Sequence, residues 1–303
     1  MLGSNGKHVF DLIGNTPLVE VEGVFAKLET TNPTGSIKDR MAYYMIKKAE
    51  ERGELRKGME IVEVTSGNTG ISLAMISSVK GYRFTAVMPR SSSIERRKLI
   101  RLYGAKIILT PAEKGMKGAM ERYREIIKRK RDAWYPRQFE NPDNIEAHRK
   151  GIGREIISQM GEKIDAFVAG IGTGGTLIGV AKALEDAGLD AKIIGVEPAE
   201  SPLLTKGEVG RHEIEGIGEG FIPKLVQDNL DMIDEIITVK SRDAVEMAKS
   251  IARKYGFLVG ISSGANVLAA ITLRKRYDRV VTVLPDRGER YLSIIRTVGK
   301  RRV

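Results

Sequence analysis

The chain alternates apolar runs of strand length with amphipathic segments of helical length along most of its 303 residues. Runs such as 84–88 and 105–109 are almost wholly apolar rather than apolar at every second position. Strands of a parallel sheet have this pattern because helices bury them on both faces. The sequence therefore predicts an α/β fold of mostly parallel, twisted sheets covered by helices.

Three short stretches rich in glycine and hydroxyl residues each follow a predicted strand or extended segment and open a predicted helix. In sheets of this kind, ligands bind at the carboxyl ends of the strands. We therefore expect the three stretches to form one site, with the long irregular segment 198–231 as either a functional loop or a disordered one. The stretches are residues 65–70, 170–176 and 262–264.

A lysine at the start of a predicted helix is the first candidate for chemistry. Residues 32–40 combine turn residues with Ser36, which can cap a helix that stops at Gly53. Lys38 then lies in the first turn, where the unpaired N–H groups disfavour an ammonium group. Two interpretations stay open: a solvated surface lysine, or a lysine with a lowered pKa that condenses with an aldehyde or acts as a base.

The glycine loop at 170–176 has three interpretations. Gly170, Gly172 and Gly175 have the spacing of a dinucleotide-binding loop, and Glu197 follows at the end of the next predicted strand, as in a nicotinamide-dependent dehydrogenase. The N–H groups and hydroxyls of this loop can instead hold a terminal phosphate monoester. A tight turn between a strand and a helix needs the same glycines.

The neighbouring candidate groups favour pyridoxal phosphate (PLP) over a dinucleotide. The aldehyde of PLP needs an amine, which Lys38 can supply, and its phosphate needs a cradle such as the glycine loop. Its phenolic oxygen needs a donor such as Asn68, and its ring nitrogen needs a partner such as a hydroxyl at 262–263. Because these groups make a poor hydride-transfer site, PLP is the expected cofactor.

The chain contains no cysteine and only three histidines, His8, His148 and His212. The missing thiols exclude disulfides, thiolate nucleophiles and cysteine-ligated zinc, and the scattered histidines disfavour a Ser-His-Asp triad. We expect each histidine to be a surface residue or one with satisfied hydrogen bonds, and we expect no metal site.

The net charge of +11 is most concentrated at residues 128–131 and 300–302. These runs lack interleaved aromatic residues, so we expect no nucleic-acid partner, and a basic chain also suits an anionic cofactor and substrate. No apolar run has the length of a membrane span, and residues 1–10 lack the hydrophobic core of a signal peptide. We therefore expect a cytoplasmic protein without membrane contact.

Nine short motifs, in a shared order and spacing over nearly the whole chain, make this sequence similar to the fold-type II PLP enzymes. Among these it most closely resembles the cysteine synthase (O-acetylserine sulfhydrylase) family. The motifs lie at residues 13–18, 32–40, 65–70, 95–97, 138–142, 172–176, 215–218, 260–265 and 285–292.

The resemblance implies a fold like that of the tryptophan synthase β-subunit, with two domains. Residues 41–141 would form a smaller, mobile substrate-binding domain, and residues 1–40 with 142–303 would form a larger PLP-binding domain. It also implies a homodimer and, as in some relatives, a site that accepts the tail of serine acetyltransferase.

The resemblance also implies roles for individual residues. Lys38 would form the Schiff base, Asn68 would hydrogen-bond the phenolic oxygen, and Ser262 would face the pyridine nitrogen, with Ser263 as the neighbouring alternative. The cofactor phosphate would be held by Gly172, Thr173, Gly174, Gly175 and Thr176. The substrate carboxylate would be bound by Thr65, Ser66, Thr69 and Gln138.

The implied reaction is a β-replacement in which O-acetyl-L-serine and sulfide give L-cysteine through an aminoacrylate intermediate. O-phosphoserine is an alternative first substrate, because Arg137, Lys206, Arg211 or Lys224 could meet a phosphate leaving group. Cystathionine β-synthase, with homocysteine as acceptor, uses the same core. The motifs of serine and threonine dehydratases match less well, and the intact Lys38 argues against a binding protein that has lost catalysis.

The sequence departs from the family pattern in three places. Thr34 occupies a position where many relatives have glycine, residues 151–155 differ from the usual run after the histidine, and the link between Glu20 and Ala26 is short. These departures bear on the leaving group and on specificity rather than on the reaction class.

Overall fold

The computed structural model describes residues 8–161 and 163–292, and its strands form two sheets. The strands are β1 (Leu18–Val21), β2 (Val24–Leu28), β3 (Glu60–Val64), β4 (Arg83–Pro89), β5 (Lys106–Thr110), β6 (Ala133–Trp134), β7 (Ala166–Gly170), β8 (Lys192–Pro198), β9 (Glu235–Val239) and β10 (Val280–Leu284). The larger sheet has the order β1-β2-β10-β7-β8-β9, and the smaller has the order β5-β4-β3-β6. Apart from the β1–β2 pair, the paired strands are parallel.

Helices alternate with these strands and cover both sheets, which confirms the predicted α/β class. None of the helices in the described ranges is both long enough and apolar enough to cross a membrane. The helices are α1 (Lys38–Glu51), α2 (Asn68–Lys80), α3 (Ile94–Leu102), α4 (Gly115–Arg129), α5 (Asp143–His148), α6 (Arg154–Met160), α7 (Gly175–Asp186), α8 (Leu203–Lys206), α9 (Lys224–Gln227), α10 (Ser241–Tyr255) and α11 (Ile261–Leu273).

Both faces of each sheet are buried, which explains the apolar runs in the sequence. Successive residues of a strand point to opposite faces, and Phe167 and Val168 of β7 belong to different hydrophobic clusters. Ile61 and Val62 of β3 are divided in the same way. The cores therefore lie between each sheet and the helices on its two sides.

The turn residues at 14–17 predict short extended segments around a turn, and Gly14 and Asn15 do have positive φ, of 87° and 48°. Val9–Leu12 is a short 3₁₀ helix, and the reversal between β1 and β2 lies at Glu22 and Gly23. Both turn residues have positive φ, of 50° and 75°, as a two-residue hairpin turn requires. The antiparallel pair is therefore a local hairpin at the edge of the larger sheet.

The sequence predicts a helix over residues 145–160 that Gly151 and Gly153 weaken, and the observed helical segment changes its geometry at these glycines. α5 passes into a π-helical turn at Arg149–Gly153 and then into α6. A Cβ at Gly153 would lie 2.5 Å from the Cβ of Ala183 in α7. Glycine at this position therefore allows the π turn to pack closely against α7.

The long irregular segment 198–231 is ordered and contains the short helices α8 and α9. Ile214 and Ile217 are buried in it, with exposures of 0% and 5%, and residues 215–220 line a cleft between the two sheets. The functional-loop interpretation of this segment therefore agrees with its position.

Candidate active site

Lys38 lies in the first turn of α1, as predicted, and is the first residue of this helix. The cap position belongs to Ile37 rather than to Ser36, whose Oγ accepts a hydrogen bond from the Lys38 N–H at 3.3 Å. Burial lowers the pKa of Lys38, and the carboxyl groups of Glu219 and Asp286 oppose this shift. Burial is thus the main cause of the lowered pKa of Lys38.

A cleft of about 520 Å³ and a recess of about 50 Å³ share Lys38, Asn68 and Thr173 in their walls. The predicted site residues therefore come together around one lysine. Gly175 is the exception, because it lines neither space and instead lies against Asn144. Thr65, Ser66, Thr69 and Gln138 line the cleft, and Gly172, Gly174, Thr176 and Ser262 line the recess.

The glycine loop between β7 and α7 leaves no room for side chains. A Cβ on Gly172 would lie 2.3 Å from the carbonyl oxygen of Gly216. Gly174 has a φ of +87°, and a Cβ on it would lie 2.4 Å from Val226. The loop is therefore held close to its neighbours at the N-terminus of α7, where N–H groups favour an anion such as a phosphate group.

Two residues of α5 that the sequence did not single out as site residues contact this loop. Asn144 donates a hydrogen bond to Thr173 Oγ1 at 3.0 Å. His148 Nε2 lies 3.4 Å from Thr176 Oγ1, while its Nδ1 has no hydrogen-bond partner among the described residues. The expectation that every histidine is exposed or has satisfied hydrogen bonds is wrong for His148, which is fully buried.

The pKa of His148 lies well below the usual range for histidine. Burial is the main cause, and the positive charges of Lys38 and Arg40 lower this pKa further.

The loop between β3 and α2 is stabilised mainly through its threonines. Thr65 Oγ1 accepts hydrogen bonds from the N–H groups of Gly67 and Gly70 at 3.3 and 3.2 Å. Thr69 Oγ1 donates to Gln138 Oε1 at 2.7 Å, and Gln138 Nε2 donates to a strand carbonyl of β3 at 2.9 Å. The amide of Gln138 therefore orients the loop.

The C-terminal motif contributes contacts to Asn68. Asn68 Nδ2 donates to Asp286 Oδ2 at 2.6 Å, and its Oδ1 accepts from Arg290. Tyr291 also donates to Asp286, and burial together with that carboxylate raises the pKa of Tyr291 far above its usual range. The resemblance implies no individual roles for the motif at 285–292, but its residues Asp286 and Arg290 contact Asn68 directly.

Arg96 of α3 reaches the cleft from the smaller sheet and meets groups of the larger one. It is 3% exposed, pairs with Glu215, and its guanidinium lies 4.9 Å from the centre of the Tyr291 ring. Glu219 lies near enough for Lys38 and Arg96 to lower its pKa, but burial is stronger and raises that pKa overall. Two basic side chains, Lys38 and Arg96, and two acidic ones, Glu215 and Glu219, therefore line the cleft.

A model of the family of pyridoxal-phosphate dependent enzymes matches residues 9–286. The chain belongs to this family. Cysteine synthase B from Campylobacter jejuni is 50% identical over 291 residues, which cover 94% of this chain and 96% of the relative.

Two solved structures extend this similarity to the fold. Cysteine synthase from Entamoeba histolytica has a TM-score of 0.91 and 36% identity, covering 100% of this chain and 95% of that one. The O-acetylserine dependent cystathionine beta-synthase from Helicobacter pylori has a TM-score of 0.90 and 37% identity, covering 97% and 98%. The predicted fold-type II architecture and the predicted cofactor, PLP, are thus confirmed.

The described residues of this PLP-dependent enzyme fit the cofactor. Lys38 offers a buried amine, and Gly172, Gly174 and Thr176 of the glycine loop line the recess at the N-terminus of α7. Asp286 lines the recess, and its Oδ1 has no hydrogen-bond partner within residues 8–161 and 163–292. Ser262 lines the recess too, whereas Ser263, its neighbouring alternative, is fully buried without lining either space.

Glu197, the acid of the dinucleotide interpretation, is used elsewhere. Its carboxylate accepts hydrogen bonds from the N–H groups of Leu204 and Thr205 at 2.9 and 3.1 Å, and from the Thr205 hydroxyl at 2.6 Å. It lines neither the cleft nor the recess. The carboxylate therefore caps the short helix α8 instead of facing the glycine loop.

The basic residues suggested for a phosphate leaving group are exposed, and none of them lines the cleft. Lys224 instead pairs with Asp228 on its own helix. The side chains suggested for this purpose are Arg137, Lys206, Arg211 and Lys224.

Proposed function

We propose that this enzyme makes L-cysteine from O-acetyl-L-serine and sulfide by PLP-dependent β-replacement. The observation that carries the proposal is the convergence of Lys38, the 65–70 loop and the 170–176 loop on one cleft. The names of the relatives agree with it. When bound, PLP supplies an aldehyde that condenses with amino groups and a ring that withdraws electrons from the substrate α-carbon.

Lys38 holds and moves the proton in this proposal. Burial lowers the pKa of its amine, so the free amine is more available than that of an exposed lysine. With cofactor and substrate bound, the Nζ atom of Lys38 would remove the α-proton of the substrate. Loss of the leaving group from the β-carbon follows, and sulfide then adds there.

The substrate carboxylate is assigned to the loop before α2. Thr65, Ser66 and Thr69 bring hydroxyls and N–H groups to the N-terminus of a 13-residue helix, which favours an anion. Gln138 is assigned to the same carboxylate; its side-chain amide already bonds Thr69 and β3. We therefore propose that Gln138 also stabilises the conformation of this loop.

The cofactor is assigned to the recess. Gly172, Thr173, Gly174, Gly175 and Thr176 would hold its phosphate and Asn68 its phenolic oxygen. Ser262 would face the ring nitrogen, and a hydroxyl partner leaves that nitrogen uncharged. An uncharged ring withdraws electrons less strongly, which favours prompt loss of the leaving group.

The balance of charge supports acetate over phosphate as the leaving group. Among the described residues that line the cleft, Lys38 and Arg96 are positive, and Glu215 and Glu219 are acidic. Arg96 is paired with Glu215. The described lining of the cleft thus has no excess of basic over acidic side chains for a dianionic phosphate, so O-acetylserine is the preferred substrate in this proposal and O-phosphoserine the weaker one.

In the second candidate function, O-acetylserine remains the first substrate, but a compound other than sulfide adds to the β-carbon. The Helicobacter pylori relative is named an O-acetylserine dependent cystathionine beta-synthase and has nearly the same fold. Homocysteine in place of sulfide is therefore the alternative acceptor.

Four features of the assembly stay predictions of the sequence. They are residues 41–141 as a mobile domain that closes and excludes water, a homodimer, the serine acetyltransferase tail as a partner, and a cytoplasmic location.

An absorbance experiment tests the proposed reaction. The purified protein should be yellow; O-acetylserine should change its visible band, and sulfide should restore it with release of cysteine. O-phosphoserine and homocysteine, added in separate runs, rank the leaving groups and acceptors. A PLP-loaded protein whose band does not respond to O-acetylserine would show that the assigned reaction is wrong.

A further inference from the structure

Helix α5 lies between the loop assigned to the substrate and the loop assigned to the cofactor phosphate. Its Asn144 is fully buried and donates two hydrogen bonds from Nδ2. One goes to the carbonyl oxygen of Gln138 at 2.8 Å, and the other goes to Thr173 Oγ1 at 3.0 Å. A single amide nitrogen therefore joins Gln138, whose side chain bonds Thr69 of the substrate loop, to Thr173 of the phosphate loop.

The hydrogen bonds continue on both sides of Asn144. On the substrate side, Thr69 donates to the side chain of Gln138 at 2.7 Å. On the cofactor side, the N–H group of Gly175 donates to Thr173 Oγ1 at 3.3 Å. The chain of contacts thus runs from the start of α2 to the start of α7.

The packing of α5 against α7 leaves little room for one helix to move alone. A Cβ on Gly175 would lie 2.1 Å from Asn144 Oδ1. One turn further along α7, a Cβ on Gly179 would lie 2.6 Å from both the His148 Cβ and the carbonyl oxygen of Ile145. Because interiors packed at this density transmit small displacements, a shift of the phosphate loop must move Asn144.

We propose that Asn144 is a positioning residue that couples binding of the cofactor phosphate to binding of the substrate carboxylate. A phosphate in the cradle fixes Thr173, which fixes Asn144 and, through the Gln138 carbonyl, the segment that orients Thr69. This inference rests on the site roles of the proposed function. By linkage, the substrate must strengthen cofactor binding by the same factor as the cofactor strengthens substrate binding.

The test measures a coupling factor instead of activity. The dissociation constant of PLP is measured for the full-length apoenzyme with and without saturating L-alanine, which has the substrate's carboxylate and amine but no β-leaving group. The ratio of the two constants is the coupling factor. Direct contact between alanine and the cofactor contributes to this factor in every variant, so that contribution cancels when variants are compared.

Asn144→Leu keeps the size of the side chain and removes both hydrogen bonds. We expect its coupling factor to be at least about fivefold smaller than that of the wild type, within the usual range of coupling between sites. Thr173→Val breaks the same path from the other end and should lower the factor similarly, and the double variant should lower it no further. This second variant keeps the test decisive where Asn144→Leu folds poorly.

Asn229→Leu is the matched control. Asn229 also donates Nδ2 to a backbone carbonyl, that of Leu225 at 2.8 Å, but lines neither the cleft nor the recess. Its coupling factor should equal that of the wild type.

The outcomes separate this inference from the proposed function. A purely structural Asn144 would weaken both ligands and leave the coupling factor unchanged within about twofold, which would overturn the inference while turnover of O-acetylserine persists. A wild-type protein that binds PLP but not substrate carboxylates would overturn the proposed function as well.

Discussion

The two polar loops that meet at Lys38 have the same position in their sheets but differ in how tightly they are held. Both follow a parallel strand and open a helix. Gly172 and Gly174 of the 170–176 loop are buried and have no room for a Cβ, whereas Ser66, Gly67 and Asn68 of the other loop are half-buried.

This difference in packing agrees with the ligand proposed for each loop, the cofactor phosphate for the tightly packed loop and the substrate for the more open one. A cofactor stays bound through many turnovers, so a preformed cradle lowers the ordering cost of holding it. A substrate enters and leaves in every cycle, and a loop with open space around it can adapt to both states. Local packing, rather than the residue types that both loops share, therefore distinguishes the two tasks.

Glycine-to-alanine substitutions, one in each loop, should give the largest difference in PLP affinity between the two loops. Gly174→Ala places a Cβ 2.4 Å from Val226 on a residue with φ +87°. We expect its PLP affinity to fall by about 10- to 100-fold, since strain of this kind costs about 1–3 kcal/mol. Equilibrium titration of the apoenzyme with PLP measures the effect.

Gly67→Ala is the corresponding change in the substrate loop. Its nearest neighbour would be Arg96 Nη1 at 3.9 Å, an ordinary van der Waals distance. We expect unchanged PLP affinity and a change confined to the KM for O-acetylserine. Equal losses of PLP affinity in the two variants would contradict the distinction between the loops.

The groups that support the two loops differ in their response to pH. Asn144 does not titrate, and His148 is neutral near pH 7, because burial lowers its pKa. Glu63 supports the substrate loop, since its Oε2 accepts from the Gln138 N–H at 3.2 Å. Burial raises the pKa of Glu63 to about 8, despite hydrogen bonds from backbone N–H groups.

The raised pKa predicts a loss of stability as pH rises. Between the ordinary value of 4.5 and about 8, the folded state holds the Glu63 proton more tightly than the unfolded state does. The free energy of unfolding should therefore fall across this window, by up to about 1.4 kcal/mol per pH unit. Glu63→Gln removes this contribution, so urea unfolding at pH 5, 7 and 8 should give a flatter profile. An unchanged profile would mean that Glu63 is ionised in the folded protein.

Thr69→Val should have the smallest effect among these variants, a change in the KM for O-acetylserine. It removes the hydrogen bond to Gln138 Oε1 without a large change in shape. Loss of one hydrogen bond worth about 1 kcal/mol predicts a roughly fivefold rise in the KM for O-acetylserine. The visible spectrum of bound PLP should stay that of the wild type, and a spectral change would instead place Thr69 against the cofactor.

The sequence predicted the fold well because periodicity and turn residues are local signals. Apolar runs identified the parallel strands, and glycines identified where they end. The hairpin turn at Glu22 and Gly23 was missed, because its two positive φ angles depend on pairing between β1 and β2. The cap of α1 was misplaced by one residue for a similar reason, since Ile37 is held by a backbone bond to Pro285 at 2.8 Å.

The sequence selected candidate site residues where a residue type alone suggests its chemistry, as for Lys38 and the glycine loop, and their roles stay predictions. Asn144 and His148 were missed because their importance comes from the packing of α5 against α7, which no local pattern records. Arg96 and Glu219 were missed as site residues because they come from distant segments that meet only in the folded chain. Motif positions could have directed attention to Arg96, which lies within 95–97.

Chemical trapping of the cofactor on its lysine tests the central claim most directly. The PLP-loaded enzyme is reduced with borohydride, digested and mapped by mass spectrometry. The account predicts that the mass of the reduced cofactor lies on the peptide containing Lys38, and that prior incubation with L-alanine decreases this labelling. Labelling of another lysine, or a PLP-loaded enzyme without labelled Lys38, would contradict it.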